Sequence, residues 1–164
     1  MFYPLKFEPV YKDYIWGGNA FKRFGRELPG PVIAESWEIS CHKDGLSVIS
    51  NGNFKGMTLV QLIEKYGADI TGHKLDPKHA EKFPLLVKLI DANDNLSVQV
   101  HPDDDYAFTH ENGELGKNEM WYIIDAKPGA KLIYDVREGV DREAFAKAVQ
   151  EKRIGECLKQ VEVF

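Results

Sequence analysis

Asn95-Leu96-Ser97-Val98-Gln99-Val100-His101-Pro102-Asp103-Asp104 is the stretch on which the reading of the fold turns. From Leu96 to His101 apolar and polar residues alternate strictly, the period of a β-strand with two unlike faces. Leu96, Val98 and Val100 share one face; Ser97, Gln99 and His101 share the other. Rows that merely face water are normally built from Lys, Glu and Thr, whereas this one holds a hydroxyl, an amide and an imidazole. Side chains two apart on a strand stand roughly 6.5 Å apart at the backbone, so a long Gln and a His can converge on one ion or sugar between them. A plain polar face is the other reading of the same residues.

Moving outward, Phe83-Pro84-Leu85-Leu86-Val87-Lys88-Leu89-Ile90-Asp91 is apolar on both faces and predicts a strand covered from both sides. Lys88 is its exception. A cation in such a run either reaches an acid or an anionic ligand, or snorkels to the strand's end. On the other side, Asp103-Asp104 reads as the cap of a short helical turn through Tyr106-Ala107-Phe108, ahead of a loop from Glu111 to Gly116. Lys117-Asn118-Glu119-Met120-Trp121-Tyr122-Ile123-Ile124 predicts the next strand, with Glu119, Trp121 and Ile123 on one face. A carboxylate at the start of an aromatic strand needs a partner. That partner is Lys117 or Lys88 in an ion pair, or the same ion that Gln99 and His101 face. Imidazole, carboxylate and amide oxygen together suit zinc ahead of manganese or iron.

Further out, Glu35-Ser36-Trp37-Glu38-Ile39-Ser40 alternates, Glu35, Trp37 and Ile39 against Ser36, Glu38 and Ser40, and Leu46–Ile49 is a short strand closed by Asn51-Gly52-Asn53. Thr58 and Gln61 form a capping box before Leu59, Leu62, Ile63 and Tyr66 recur at helical spacing. A polar connection through His73, Asp76-Pro77 and His79 follows. Ala130–Asp135 predicts a strand, Asp141–Ile154 a second helix, and Val161–Phe164 the start of one more strand. Residues 1 to 31 are rich in aromatics, Pro and Gly, which favours short extended pieces joined by turns. Trp16-Gly17-Gly18 lies in none of the glycine patterns that cradle phosphates, and Trp16 reads as a core or rim aromatic. The sum is a mainly β chain with two or three small helices, arranged as an antiparallel barrel of the cupin-like jelly-roll kind.

The composition sets bounds on function. The chain has 164 residues, 43% of them hydrophobic, and a net charge of −5, which describes one globular domain and argues against a nucleic-acid partner. A small anionic ligand would then need local cations of its own. Cys41 and Cys157 stand far apart, with neither a CxxC nor a Cys/His cluster, and read as ordinary thiols. No charged and apolar leader opens the chain and no run of apolar residues reaches membrane-spanning length, so a cytoplasmic protein without membrane contact is expected.

At this point the residues carry a resemblance. Trp16-Gly17-Gly18, Glu35–Ser40, Phe83–Lys88, Ser97–Asp104 and Gly116–Trp121 resemble, in order, the successive motifs of type I mannose-6-phosphate isomerases. The Gln-x-His-Pro-Asp block with its later Lys-x-Glu is the specific part, and the likeness runs through most of residues 1 to 135. The resemblance implies a cupin-type catalytic domain, here residues 1–164 as the first part of the family's domain, and a zinc cofactor. It implies Gln99, His101 and Glu119 as metal ligands, Lys88 and Lys117 as catalytic lysines, and Ser97, Trp16 and Lys88 at the substrate. The implied reaction interconverts mannose 6-phosphate and fructose 6-phosphate by moving a proton between C2 and C1 through a cis-enediol; the base is not identified by these motifs.

The chain also departs from the family. Members are longer, and their fourth protein ligand is a His after a Pro-x-Gly-Thr-like turn, which does not occur after Glu119; neither His110 nor His42 stands in its place. A barrel incomplete at the C-terminal end, with self-association through its open edge, low zinc occupancy and negligible isomerase activity on its own, is the expectation. Two other classes stay open: a non-catalytic cupin-like module that binds a metal or sugar phosphate, and a purely structural domain. Lys88→Met is expected to leave the fold intact.

Overall fold

Glu35–Ile39 forms the strand that orders the first half of the molecule, and its alternation is the reason. In the computed structural model, which describes residues 2–76, 79 and 83–164, the chain divides into two compact units, Met1–Ser97 and Val98–Phe164. In the first unit β1 (Phe7–Glu8) pairs antiparallel with β4 (Val48–Ile49). A second sheet runs β2 (Val10–Lys12), β3 (Glu35–Ile39), β5 (Val87–Ile90), antiparallel throughout, with β3 in the centre. Trp37 lies opposite Val10 on one side and Lys88 on the other, while Glu35 lies opposite Lys12 and Ile90. The centre of the sheet is therefore buried: Ile33, Ala34, Glu35, Ser36 and Trp37 are all 8% exposed or less.

The helix α1 (Leu59–Tyr66) forms where the capping box predicts it. Thr58 Oγ1 accepts from Gln61 N at 3.1 Å and Gln61 Oε1 accepts from Thr58 N at 2.9 Å, an arrangement worth about 1 kcal/mol. Its apolar stripe places Leu59 and Leu62 in the core, and Gly67 ends it before the single turn α2 (Ala68–Thr71). Pro77, part of the polar connection read from sequence, lies outside the described residues.

The second unit is built around α3 (Asp104–His110), α4 (Arg142–Gln150) and the antiparallel pair β6 (Lys131–Val136) and β7 (Leu158–Glu162). Asp103 caps α3 through Tyr106 N and Asp141 caps α4 through Ala144 N, both carboxylates placed where helix N-termini favour them. Its buried apolar residues are few: Ala107, Ala148, Cys157 and Leu158.

Two expectations are corrected. The stretches 96–101 and 117–124 alternate like strands, yet among the described residues they join no ladder. Alternation says which side chains share a face, but a strand exists only when a partner strand accepts its backbone groups. Val98, Val100, Met120, Tyr122 and Ile124 are accordingly exposed. The run from Phe83 to Asp91 is ladder only from Val87, and because β5 is an edge strand, Leu85 and Val87 stay 49% and 39% exposed instead of covered on both sides.

Candidate functional site

In the second unit three side chains named from sequence meet. The segment that ends at His101 and the segment that begins at Gly116 are fastened together by their backbones. Lys117 N donates to Pro102 O at 3.1 Å, and Gly116 N donates to Asp104 Oδ1 at 2.9 Å. Gly116 lies so close to residue 103 that a Cβ there would stand 2.5 Å from the Asp103 carbonyl carbon, so only glycine fits without movement. This clamp brings His101 Nε2 to 2.9 Å from Glu119 Oε2, and Lys117 Nζ to 3.1 Å from His101 Nε2 and 3.1 Å from Glu119 Oε1.

The electrostatics follow from that triangle. Burial alone would push the Glu119 carboxyl up, but hydrogen bonds from Lys117, His101 and Trp121 and the Lys117 charge outweigh it and bring it down to about 2. Nε2 of His101 is a single nitrogen: it either donates to Glu119 or accepts from Lys117, one at a time. Gln99, two residues before His101, is exposed, as is Ser97 at the end of the first unit.

Whether these residues suit a metal can be judged from their donor atoms. Two ligand atoms on one tetrahedral ion are about 3.3 Å apart when each bond is about 2.0 Å, and Nε2 and Oε2 stand 2.9 Å apart. A shift of a few tenths of an ångström brings the pair to the spacing of two ligands, and Gln99, two residues before His101, carries an amide oxygen of a class that can serve as a ligand. The donor set fits. Among the described residues no group of three or more His, Cys, Asp and Glu side chains gathers.

In the first unit Lys88 has a partner that sequence reading left open. Its Nζ donates to Glu35 Oε1 at 2.9 Å, and Glu35 Oε2 accepts from Trp37 Nε1 at 2.7 Å. Lys88 faces Trp37 across the ladder, so Glu35 is its diagonal neighbour, within reach of a long side chain. Lys88 thus reaches an acid, one of the outcomes that the sequence left open. Glu35 is the residue that sequence reading missed, although a carboxylate alternating with a buried Trp gave the same signal that singled out Glu119. On the other face of β3, Arg26 Nη1 donates to Glu38 Oε1 and to Ser36 Oγ, each at 2.7 Å.

Trp16 is half-buried and stacks on Tyr14, ring centroids 5.7 Å apart. Its carbonyl accepts from Asn93 N and Asp94 N at 3.0 and 3.1 Å. Gly17 beside it packs so closely on Ala34 that a Cβ would stand 2.6 Å from the Ala34 Cα, which accounts for a glycine there without any phosphate.

Against known proteins, the family model described as phosphomannose isomerase type I, catalytic domain, matches residues 4–138. The chain is 42% identical over 160 residues to mannose-6-phosphate isomerase ManA of Bacillus subtilis, covering 98% of this chain and 49% of that protein. It is 46% identical over 132 residues to mannose-6-phosphate isomerase of Streptococcus mutans, covering 80% of this chain and 40% of that one. The crystal structure of mannose 6-phosphate isomerase from Bacillus subtilis matches with a TM-score of 0.86 and 38% identity over 98% of this chain and 49% of the other. The chain spans about half the length of these Bacillus relatives. The fold is accordingly the mainly β, cupin-type fold of that structural neighbour, with sheets that do not close into a barrel among the described residues. A match over residues 4–138, together with that fold, makes this chain a member of the type I phosphomannose isomerase family, in the part that corresponds to its catalytic domain.

Proposed function

We propose that the chain is part of an aldose–ketose isomerase that interconverts mannose 6-phosphate and fructose 6-phosphate, a proton moving between C2 and C1 through a cis-enediol. The observation that carries this reading is the meeting of His101, Lys117 and Glu119 within 3.1 Å of one another in a chain of this family. Gln99, His101 and Glu119 would hold the metal. When bound, that ion, zinc for this donor set, supplies Lewis-acid stabilisation of the negative charge that develops on the sugar oxygens.

The other residues act through charge and shape. Lys117, its side chain 39% exposed, is the cation within reach of an incoming sugar phosphate. Lys88 and the buried Glu35 form a partly buried pair able to hold a proton at Nζ and to position it, Trp37 fixing the carboxylate from the other side. Trp16 offers an aromatic face on which a sugar ring can lie, and Ser97 a hydroxyl. Residues 1–164 act as one catalytic domain in this proposal, and the exposed apolar side chains of the second unit support self-association. Both cysteines are free thiols, which supports a cytoplasmic setting; no helix among the described residues is long and apolar enough to cross a membrane.

The test is direct. Mannose 6-phosphate is supplied to the complete gene product and fructose 6-phosphate is measured, with bound metal determined in parallel. Turnover that His101→Ala removes together with the metal is the expected result, and Gln99→Ala should weaken metal binding less, the neutral amide being the poorer donor. Sugar-phosphate binding without conversion would assign the chain to a non-catalytic binding module instead.

A further inference from the structure

Lys117 holds a position that needs explaining. Its ammonium is 3.1 Å from both His101 Nε2 and Glu119 Oε1, on the two residues that the proposed function gives to the metal, so a cation already contacts both. We propose that Lys117 is an internal placeholder for that metal: its ammonium keeps His101 and Glu119 together without the ion and leaves when the ion binds. The inference rests on the assignment of His101 and Glu119 as ligands and goes beyond it.

Three observations support the exchange. The backbone is held at this point, because Lys117 N is bonded to Pro102 O and Gly116 lies against the residue 103 backbone. The side chain can move: it has a flexible four-carbon stem and is 39% exposed, and an ion pair that open to water is weakly held. It also has somewhere to go. A cleft of about 410 Å³ opens beside it, lined by Pro102, Gly116, Lys117 and the carboxylates Asp103, Asp104 and Asp105, a lining that favours a cation.

With Nε2 free of a proton, as a metal ligand must be, it and the Glu119 carboxylate oxygen are two acceptors 2.9 Å apart, an arrangement that repels unless a cation neutralises it. Lys117 relieves that repulsion in the metal-free protein. A bound ion relieves it more strongly, and once it does, Lys117 is free to face an anionic substrate. One residue thereby links metal occupancy to the availability of the substrate-facing cation.

The experiment compares the complete gene product with its Lys117→Met variant, titrating each with zinc against a chelator of known affinity. A second measurement follows acylation of Lys117 by an amine reagent, site by site, with and without zinc. The expected results are zinc binding at least tenfold tighter in Lys117→Met and faster acylation of Lys117 when zinc is present. The affinity gain should persist at about 1 M salt, where the Debye length is about 3 Å, because occlusion is not screened as repulsion is. Equal affinities, a gain abolished by salt, or acylation that zinc leaves unchanged or slows would overturn the placeholder while His101 and Glu119 remain ligands. Zinc binding that His101→Ala leaves intact, or no zinc binding in either protein, would overturn the ligand assignment and the placeholder with it.

Discussion

Lys88 and Lys117 each stand about 3 Å from a glutamate, and they serve different ends because their surroundings differ. Lys88 lies on β5 against a Glu35 that is 6% exposed and held from its other side by the Trp37 indole. Lys117 lies in a segment outside any ladder, with its side chain 39% exposed and Glu119 beside it at 25%. A pair whose carboxylate is buried cannot be opened without stranding that charge, whereas a more exposed pair can be opened at little cost. The first is therefore a fixed part of the sheet, and the second is available for exchange with an ion or a ligand. Residue type alone does not separate the two; burial does.

The largest expected effect breaks the fixed pair. Lys88→Met should destabilise the protein by about 3–5 kcal/mol, since it leaves Glu35 buried and uncompensated. This runs against the expectation from sequence that Lys88→Met leaves the fold intact. Lys88→Met combined with Glu35→Leu should recover most of the loss in denaturant titrations. A single mutant within 1 kcal/mol of wild type would show that the pair contributes no more than its exposed counterpart.

The clamp that gathers the open cluster comes next. Gly116→Ala pushes a methyl group into the Asp103 backbone and should cost about 1–3 kcal/mol, with weaker zinc binding because the segments carrying His101 and Lys117 separate. An unchanged melting temperature and zinc affinity would mean that the two segments are not held by this contact.

Acid should distinguish the two regions as well. The folded-state Glu119 carboxyl lies at about 2 against an ordinary value of 4.5. A lowered pKa stabilises the folded state above the unfolded value, and that contribution is lost as pH falls from about 4.5 towards 2. Solvent screening at this open site limits it to about 1 kcal/mol. Thermal melts of wild type and Glu119→Gln across that range should converge as pH falls; parallel curves would remove Glu119 from the acid response. The smallest effect is Lys117→Met on metal-free stability, expected below about 1 kcal/mol, and a loss as large as that of Lys88→Met would erase the distinction between the two lysines.

Local chemistry was the legible part of the sequence. The capping box at Thr58 and Gln61, the cap at Asp103, and the two faces of β3 all depend on residues within a few positions of one another, and all are present. The spacing that put Glu119 near His101 was suggested by residue chemistry, and the structure brings the two together. What could not be read was pairing across distance. Glu35 and Lys88 are separated by 53 positions, and only the register of β3 against β5 makes them neighbours. Likewise, the alternation in 96–101 and 117–124 names two faces without supplying the strand that would pair with them.

That last feature has a consequence in time. Backbone amides that join no ladder are shielded only by whatever local contacts close over them, and they open with free energies far below that of global unfolding. Residues 117–124, which carry Glu119, should exchange their amide hydrogens with solvent long before those of β6 and β7, whose ladder runs from Lys131↔Glu162 to Val136↔Leu158. The carboxylate of the proposed metal set is thus carried on a fast-opening segment, while its neighbours in the same unit open slowly.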